Sequence, residues 1–191
     1  MTDNTAILTA DIRARLSDYR FTHSLNVAET AKHLAEKYGE NPEKAFLTGL
    51  MHDVFKELSR ENALRFFEEH GERLTKLEQN APKLWHAMSG AIYLKEQYGF
   101  SEDMIAAVRY HTTGRENMSL LEKIIFIADF ISAERDYPGV DAMRERAEIS
   151  LEYAMEEGLR FTIYELSEKC APIHPDTLAC YNQILLDKKE N

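Results

Sequence analysis

The dipeptide His52-Asp53 closes the apolar run Ala45-Phe46-Leu47-Thr48-Gly49-Leu50-Met51. That run reads as a buried helix, so its last turn sets an imidazole beside a carboxylate inside the protein. A buried carboxylate is costly unless it is paired or bound to a cation. Matching groups recur along the chain: His23 upstream, and His86, His111 and Asp129 downstream. Histidine nitrogen and carboxylate oxygen without thiolate suit iron, manganese, zinc or nickel. The ordered set His23, His52-Asp53, His86, His111, Asp129 therefore points to one buried metal centre, with Asp53 able to bridge two ions.

Each member has a blander reading. His23 shares an apolar helix face with Val27, Ala31 and Leu34, and a lone inward histidine is more often a hydrogen-bonded core residue than a ligand. His33 on the same helix points to solvent. Asp129 sits within Ile124-Ile125-Phe126-Ile127-Ala128-Asp129-Phe130-Ile131. There it needs a metal, a capped backbone, or a salt bridge, with Arg109 or Arg135 as partner. His70, in a polar helix end, reads as surface. His174 lies in the rigid loop Pro172-Ile173-His174-Pro175, within reach of the site. Arg20, Lys56, Arg109 and Arg135 fall near the set. Beside a metal they suit phosphate oxygens, arginine by bidentate contact and lysine as a point charge. Thr112-Thr113-Gly114 offers hydroxyl and backbone donors to the same anion. No GxGxxG or Walker lysine loop, GxSxG elbow or recognisable cysteine nucleophile is present.

The elements that must position these groups are helical almost throughout. Apolar residues at helical spacing predict helices over 20–38, over 42–55 after the cap Asn41-Pro42, and over 59–70. Further helices are predicted over 83–98, from Ser101 to His111, and over 119–132, the last nearly all apolar and hence central. A long helix over 140–158 resumes after a break toward Cys170, and a last helix follows Pro175. Gly39, Gly71 and Gly99 stand where helices end. The fold class is all-α: a single helical bundle over 1–191, its core at about 18–135 and C-terminal helices at about 140–188 packing on it. Of the 191 residues, 44% are hydrophobic and 29% charged, ordinary for a soluble domain. The net charge of -10 argues against a nucleic-acid polymer as partner. No run is long and apolar enough to span a membrane. Cys170 and Cys180 form no CxxC pair and read as reduced thiols of a cytoplasmic protein.

The order His, His-Asp, Asp resembles the HD-domain superfamily of metal-dependent phosphohydrolases. His86 and His111 match members with a larger, often dinuclear site. The segments Arg20-Phe21-Thr22-His23-Ser24, His52-Asp53-Val54-Phe55-Lys56-Glu57-Leu58, His111-Thr112-Thr113-Gly114, Lys123 to Ile131 and Pro172-Ile173-His174-Pro175-Asp176-Thr177 look like the YqeK family over most of the chain. Phe55 is a bulky departure within the HDxxK segment.

That resemblance implies symmetrical hydrolysis of diadenosine tetraphosphate to two ADP, with one or two iron ions, manganese or another divalent transition metal being the alternative. His23, His52, Asp53 and Asp129 carry over as metal ligands. His86 and His111 carry over either as second-metal ligands or as phosphate contacts. The residue types then suggest roles. Asp53, Lys56, His86 and His111 form the catalytic group, His111 or His86 protonating the leaving oxygen. Arg20, Lys56, Arg135, Thr112, Thr113 and Gly114 meet the phosphate chain, and Ile173, His174 and Pro175 pack on a base or sugar. The residues leave open another nucleotide substrate (a nucleoside monophosphate, cyclic dinucleotide or guanosine polyphosphate), an oxygenase, and a non-catalytic nucleotide-binding module. A homodimer is the expected assembly.

Overall fold

The computed structural model describes residues 2–190, and side chains from residue 4 to residue 189; Met1 and Asn191, the ends of the expected bundle, lie outside them. Eleven α-helices are described: α1 Thr2–Arg15, α2 Asp18–Tyr38, α3 Pro42–Met51, α4 Arg60–Glu69, α5 Lys76–Gln79, α6 Trp85–Tyr98, α7 Glu102–Tyr110, α8 Leu120–Ile131, α9 Val140–Ile149, α10 Leu151–Glu168 and α11 Pro175–Glu190. A single 3-10 turn, Pro82–Leu84, leads into α6. No strand occurs among the described residues, as the all-α expectation requires. None of these helices is long and apolar enough to cross a membrane.

Local chemistry sets most helix ends. Gly39 and Gly99 adopt left-handed backbone after α2 and α6, where a side chain would be strained. The Asn41 side chain accepts from the amides of Glu43 and Lys44, with Pro42 as first residue of α3. Ser119 and Glu122 cap α8 reciprocally. Ser101 stands at the start of α7, but its hydroxyl donates to Asp103 and caps no amide.

Helix α8 is the axis of the bundle. It packs against α2, α3, α7, α9 and α10. Its Ile124, Ile125, Phe126, Ile127 and Ala128 are at most 1% exposed. Each large side chain among them contributes about 1.5–3 kcal/mol by burial. Asp129 follows directly, so the most apolar helix delivers a carboxylate to the middle of the fold.

Several features differ from the sequence expectation: α3 ends at Met51, short of residue 55, and the short α5 has no counterpart among the expected helices. Helix α1 precedes the first predicted helix and buries Leu8 and Ile12, with Leu16 just past its end continuing the same face. The break in the C-terminal pair falls at Ser150 and not at Gly158. Ser150 is extended (φ -160°, ψ 139°), and its hydroxyl accepts from the amide of Tyr153 to start α10. Gly158 lies inside α10, where the missing side chain admits the rings of Phe126 and Phe130.

Helix α2 carries His23 and His52 caps the end of α3, and the two helices cross closely at Gly49. A Cβ there would lie 3.0 Å from Ala28 Cα and 3.1 Å from the Val27 carbonyl oxygen, both backbone atoms with no rotamer to yield. Gly49→Ala should therefore destabilise the protein by about 1–3 kcal/mol, overriding the helix propensity that alanine adds. Chemical denaturation checks this; equal or greater stability would mean that the two helices separate freely.

Candidate metal centre

The sequence set converges on one point. Asp53 Oδ1 lies 3.0 Å from His86 Nε2 and 3.4 Å from His111 Nε2. Asp53 Oδ2 lies 3.6 Å from His52 Nε2 and 3.8 Å from His23 Nε2. Asp129 Oδ1 is 3.1 Å from His23 Nε2 and 3.9 Å from His52 Nε2. His23, His52, Asp53 and His111 are at most 1% exposed. Two triads have the spacing of a cation site: His23, His52 and Asp129, and His52, Asp53 and His111. His52 belongs to both. His86 stands at the edge, its Nε2 3.2 Å from that of His111.

The histidines are oriented from behind. His52 Nδ1 donates to the Gly49 carbonyl at 2.7 Å, and His111 Nδ1 to the Val108 carbonyl at 2.7 Å. His23 Nδ1 is bound to Glu134 Oε1. In each case the proton sits on Nδ1 and the Nε2 lone pair faces inward, the ligand tautomer. The backbone acceptors for His52 and His111 are three residues earlier, so a helix end itself fixes each ring.

Protonation agrees with that reading. Burial pushes His52 down to about 3 and His86 to about 4, so both rings are neutral at pH 7. Burial alone would raise Asp53 and Asp129. The imidazoles around Asp53, and His23, His52 and Arg135 around Asp129, hold both carboxyls well below their ordinary range. The centre thus combines ionised carboxylates with neutral His52 and His86, while at His23 burial is outweighed by Asp129 and Glu134, which hold the ring above its ordinary range. Yet His23 Nε2, His52 Nε2 and Asp53 Oδ2 are buried and make no hydrogen bond. Three orphaned acceptors facing one space are expensive for the protein alone and fit a divalent cation.

The supporting residues divide between this centre and its surroundings. Lys56 Nζ lies 3.2 Å from Asp53 Oδ1 and 3.1 Å from His86 Nε2. Arg20 Nη1 is 3.8 Å from Asp53 Oδ2. The hydroxyls of Thr112 and Thr113 are buried without partners beside His111. Gly114 differs from expectation: its amide donates to the Tyr110 carbonyl at 2.8 Å and is spent on the helix end. Arg135 is turned to Asp129, binding its carbonyl through Nε at 2.8 Å and its carboxylate through Nη2. His174 touches none of the cluster. It stands 3.9 Å from Glu78 Oε1, with Ile173 and Pro175 on the same loop.

Two carboxylates escaped the sequence reading. Glu134 holds His23 through Oε1 and accepts from Asn26 Nδ2 through Oε2 at 2.7 Å, while Ser132 donates to Oε1 at 2.8 Å. Glu78, 6% exposed, caps α5 with Thr75 and also takes Arg109 Nη2 at 3.3 Å. It thereby joins α7 to the His174 loop. A Thr-x-x-Glu capping pattern could have located Glu78. Nothing local marks Glu134, whose partner is 111 residues away.

Comparison with known proteins gives concordant results. The HD domain family model matches residues 20–134. The symmetrical bis(5'-nucleosyl)-tetraphosphatase of Halalkalibacterium halodurans is 42% identical over 93% of this chain and 95% of its own. The protein of the same name from Bacillus subtilis is 36% identical over 92% of this chain and 95% of its own. A crystal structure of a protein from Clostridium acetobutylicum, described as a predicted HD superfamily hydrolase involved in NAD metabolism, superposes with a TM-score of 0.92. It is 36% identical, with 96% of this chain and 97% of that chain covered.

Glu134 makes a direct prediction. Removing a carboxylate that orients a ligating imidazole costs about 10–100-fold in metal affinity. Glu134→Ala should weaken manganese binding by that factor in equilibrium dialysis, and Glu134→Gln, which keeps an acceptor for His23, should recover part of it. Wild-type affinity in both variants would show that His23 needs no such support.

Proposed function

The chain belongs to the HD domain family, and from that premise we propose that it hydrolyses diadenosine tetraphosphate symmetrically, releasing two ADP. Two relatives that align over nearly its whole length are named for that activity. Family membership brings dependence on a divalent metal. The observation that carries the proposal is the convergence of three orphaned buried acceptors on one space, with a lysine at its edge.

In the proposed arrangement His23, His52, Asp53 and Asp129 hold the metal, and His111 completes the second triad around His52. A bound divalent cation polarises phosphate oxygens and acidifies water. The remaining work belongs to side chains. Lys56, anchored between Asp53 and His86, meets the charge of the central phosphates, and the free hydroxyls of Thr112 and Thr113 donate to their oxygens. Arg20 adds charge from the opposite side of Asp53. His111 keeps its proton on Nδ1 for Val108, so His86, neutral and beside Lys56, is assigned to the departing oxygen as a hydrogen-bonding group. Arg135 serves by fixing Asp129. The Ile173-His174-Pro175 loop is assigned to a base or sugar.

Iron is the proposed metal, as one or two ions; an all nitrogen and oxygen donor set supports it without excluding manganese. Free Cys170 and Cys180 support a reducing, cytoplasmic setting. Exposed Ile149, Phe161 and Tyr164 support an apolar partner surface, and a homodimer is the assembly proposed. The bundle of 1–191 acts as one unit in this reading.

The test is product analysis. Protein loaded with iron or manganese should convert diadenosine tetraphosphate to ADP alone; ATP with AMP would refute symmetrical cleavage. Asp53→Ala should lose bound metal and turnover together, by about three orders of magnitude or more. Lys56→Ala should keep its metal and lose mainly substrate affinity and rate. Metal-replete but inactive Asp53→Ala would separate the carboxylate from the ligand set.

A further inference from the structure

The metal centre opens onto a cleft of about 450 Å3 whose wall runs from α2 to the 3-10 turn. Four cations line it: Arg20, Lys56, Arg60 and Lys83. No carboxylate does. In a chain of net charge -10, a concave wall of one positive sign is a local inversion of the field, and such walls concentrate anions. Two of the cations, Arg20 and Lys56, also touch Asp53, so the cleft is continuous with the metal centre.

Arg60 and Lys83 have no assigned role, and their state distinguishes this cleft. Arg60 lies over the Trp85 ring at 5.6 Å, and neither it nor Lys83 pairs with a carboxylate among the described residues. A larger hollow of about 740 Å3 on the α10–α11 side also has cations, but each is already neutralised. There Arg115 holds Glu122, Lys123 holds Glu152 and Lys188 holds Glu156. Paired charges offer little to an anion, whereas the unpaired Arg60 and Lys83 keep their full attraction; Arg20 and Lys56, partly spent on Asp53, add less. The smaller cleft is thus the one prepared for negative charge. Trp85 is fixed at its base by Nε1 donating to the Glu78 carbonyl at 2.7 Å, so Arg60 has a rigid support.

We propose that this cleft receives one nucleoside diphosphate half of the substrate, with Arg60 and Lys83 binding the phosphate oxygens that lie beyond the scissile bond. The inference rests on the hydrolase reading and extends it. A symmetrical cut requires each half to be held by its phosphates on either side of the metal. The Thr112-Thr113 hydroxyls serve one side and the four-cation wall the other. Arginine supplies a forked donor and lysine a mobile point charge, which together suit a diphosphate whose oxygens rotate.

The test uses the full chain loaded with manganese. Arg60→Ala/Lys83→Ala should raise KM for diadenosine tetraphosphate about tenfold or more, the loss falling mainly on KM, with metal content and melting temperature retained. The dependence of KM on salt should become shallower than in the wild type. Lys83→Arg should restore most of the single-site loss. Wild-type KM and salt dependence in the double variant would overturn the proposal. Wild-type protein that fails to release ADP would instead overturn the hydrolase reading. Calorimetric titration with ADP then decides the cleft by itself: weaker binding in the double variant upholds it, and equal binding removes it.

Discussion

The fold is organised around one costly act, the gathering of buried Asp53, partly buried Asp129 and four buried imidazoles in the centre of an apolar bundle. Asp53 is 1% exposed, and His52 is fully buried. Unpaired, such charges would cost several kcal/mol each. The rings surrounding them offset part of that cost, yet three inward atoms are left with no hydrogen bond. A divalent cation held there would offset that cost, and its binding would then be coupled to folding stability. The apolar residues nearby raise the stakes, because low polarity strengthens every interaction made at the centre and penalises each one missed.

Placing the rings accurately is the work of helix ends and crossings. His52 and His111 stand just past the ends of α3 and α7 and donate to carbonyls of the helix they follow. Their orientation is therefore inherited from the backbone and needs no separate partner. His23 lies mid-helix, where no carbonyl is free, and Glu134 supplies the acceptor instead. The same site thus uses two solutions to one problem, chosen by where each ring sits on its helix. Glu78 does comparable work at the periphery, drawing Arg109 and the His174 loop toward one carboxylate.

What the sequence disclosed follows the range over which each signal acts. The His52-Asp53 pair was legible because a carboxylate at the end of an apolar run demands an explanation. Gly39, Asn41-Pro42, Gly99 and Ser119 were legible because capping is decided within a turn. Asp129 was legible for its contrast with Ile124 to Ile131. The helix over 2–15 was not, since Leu8, Ile12 and Leu16 are sparse in a polar stretch and gain meaning only when buried. Gly158 suggested a helix end by composition, whereas its use is tertiary: it lets two aromatic rings approach. Glu134 and Glu78 sit among other acidic residues, and their partners are fixed by the three-dimensional path. By sequence the Gly114 amide offers itself to an anion, but the preceding helix claims it first.

Gly114 also faces Cys180 of α11 at close range: a Cβ there would lie 3.1 Å from its Sγ. The turn bearing Thr112 and Thr113 is thereby backed by the last helix of the chain, and the His174 loop reaches forward to Glu78 from the same end. Every ligand candidate lies within residues 20–134, the stretch that the family model covers. The scaffolding that keeps the turn after His111 in register lies beyond it. A fragment trimmed to that stretch would hold the full donor set on an unbraced frame, so the mechanical unit that makes the centre precise is longer than the domain that supplies its donors.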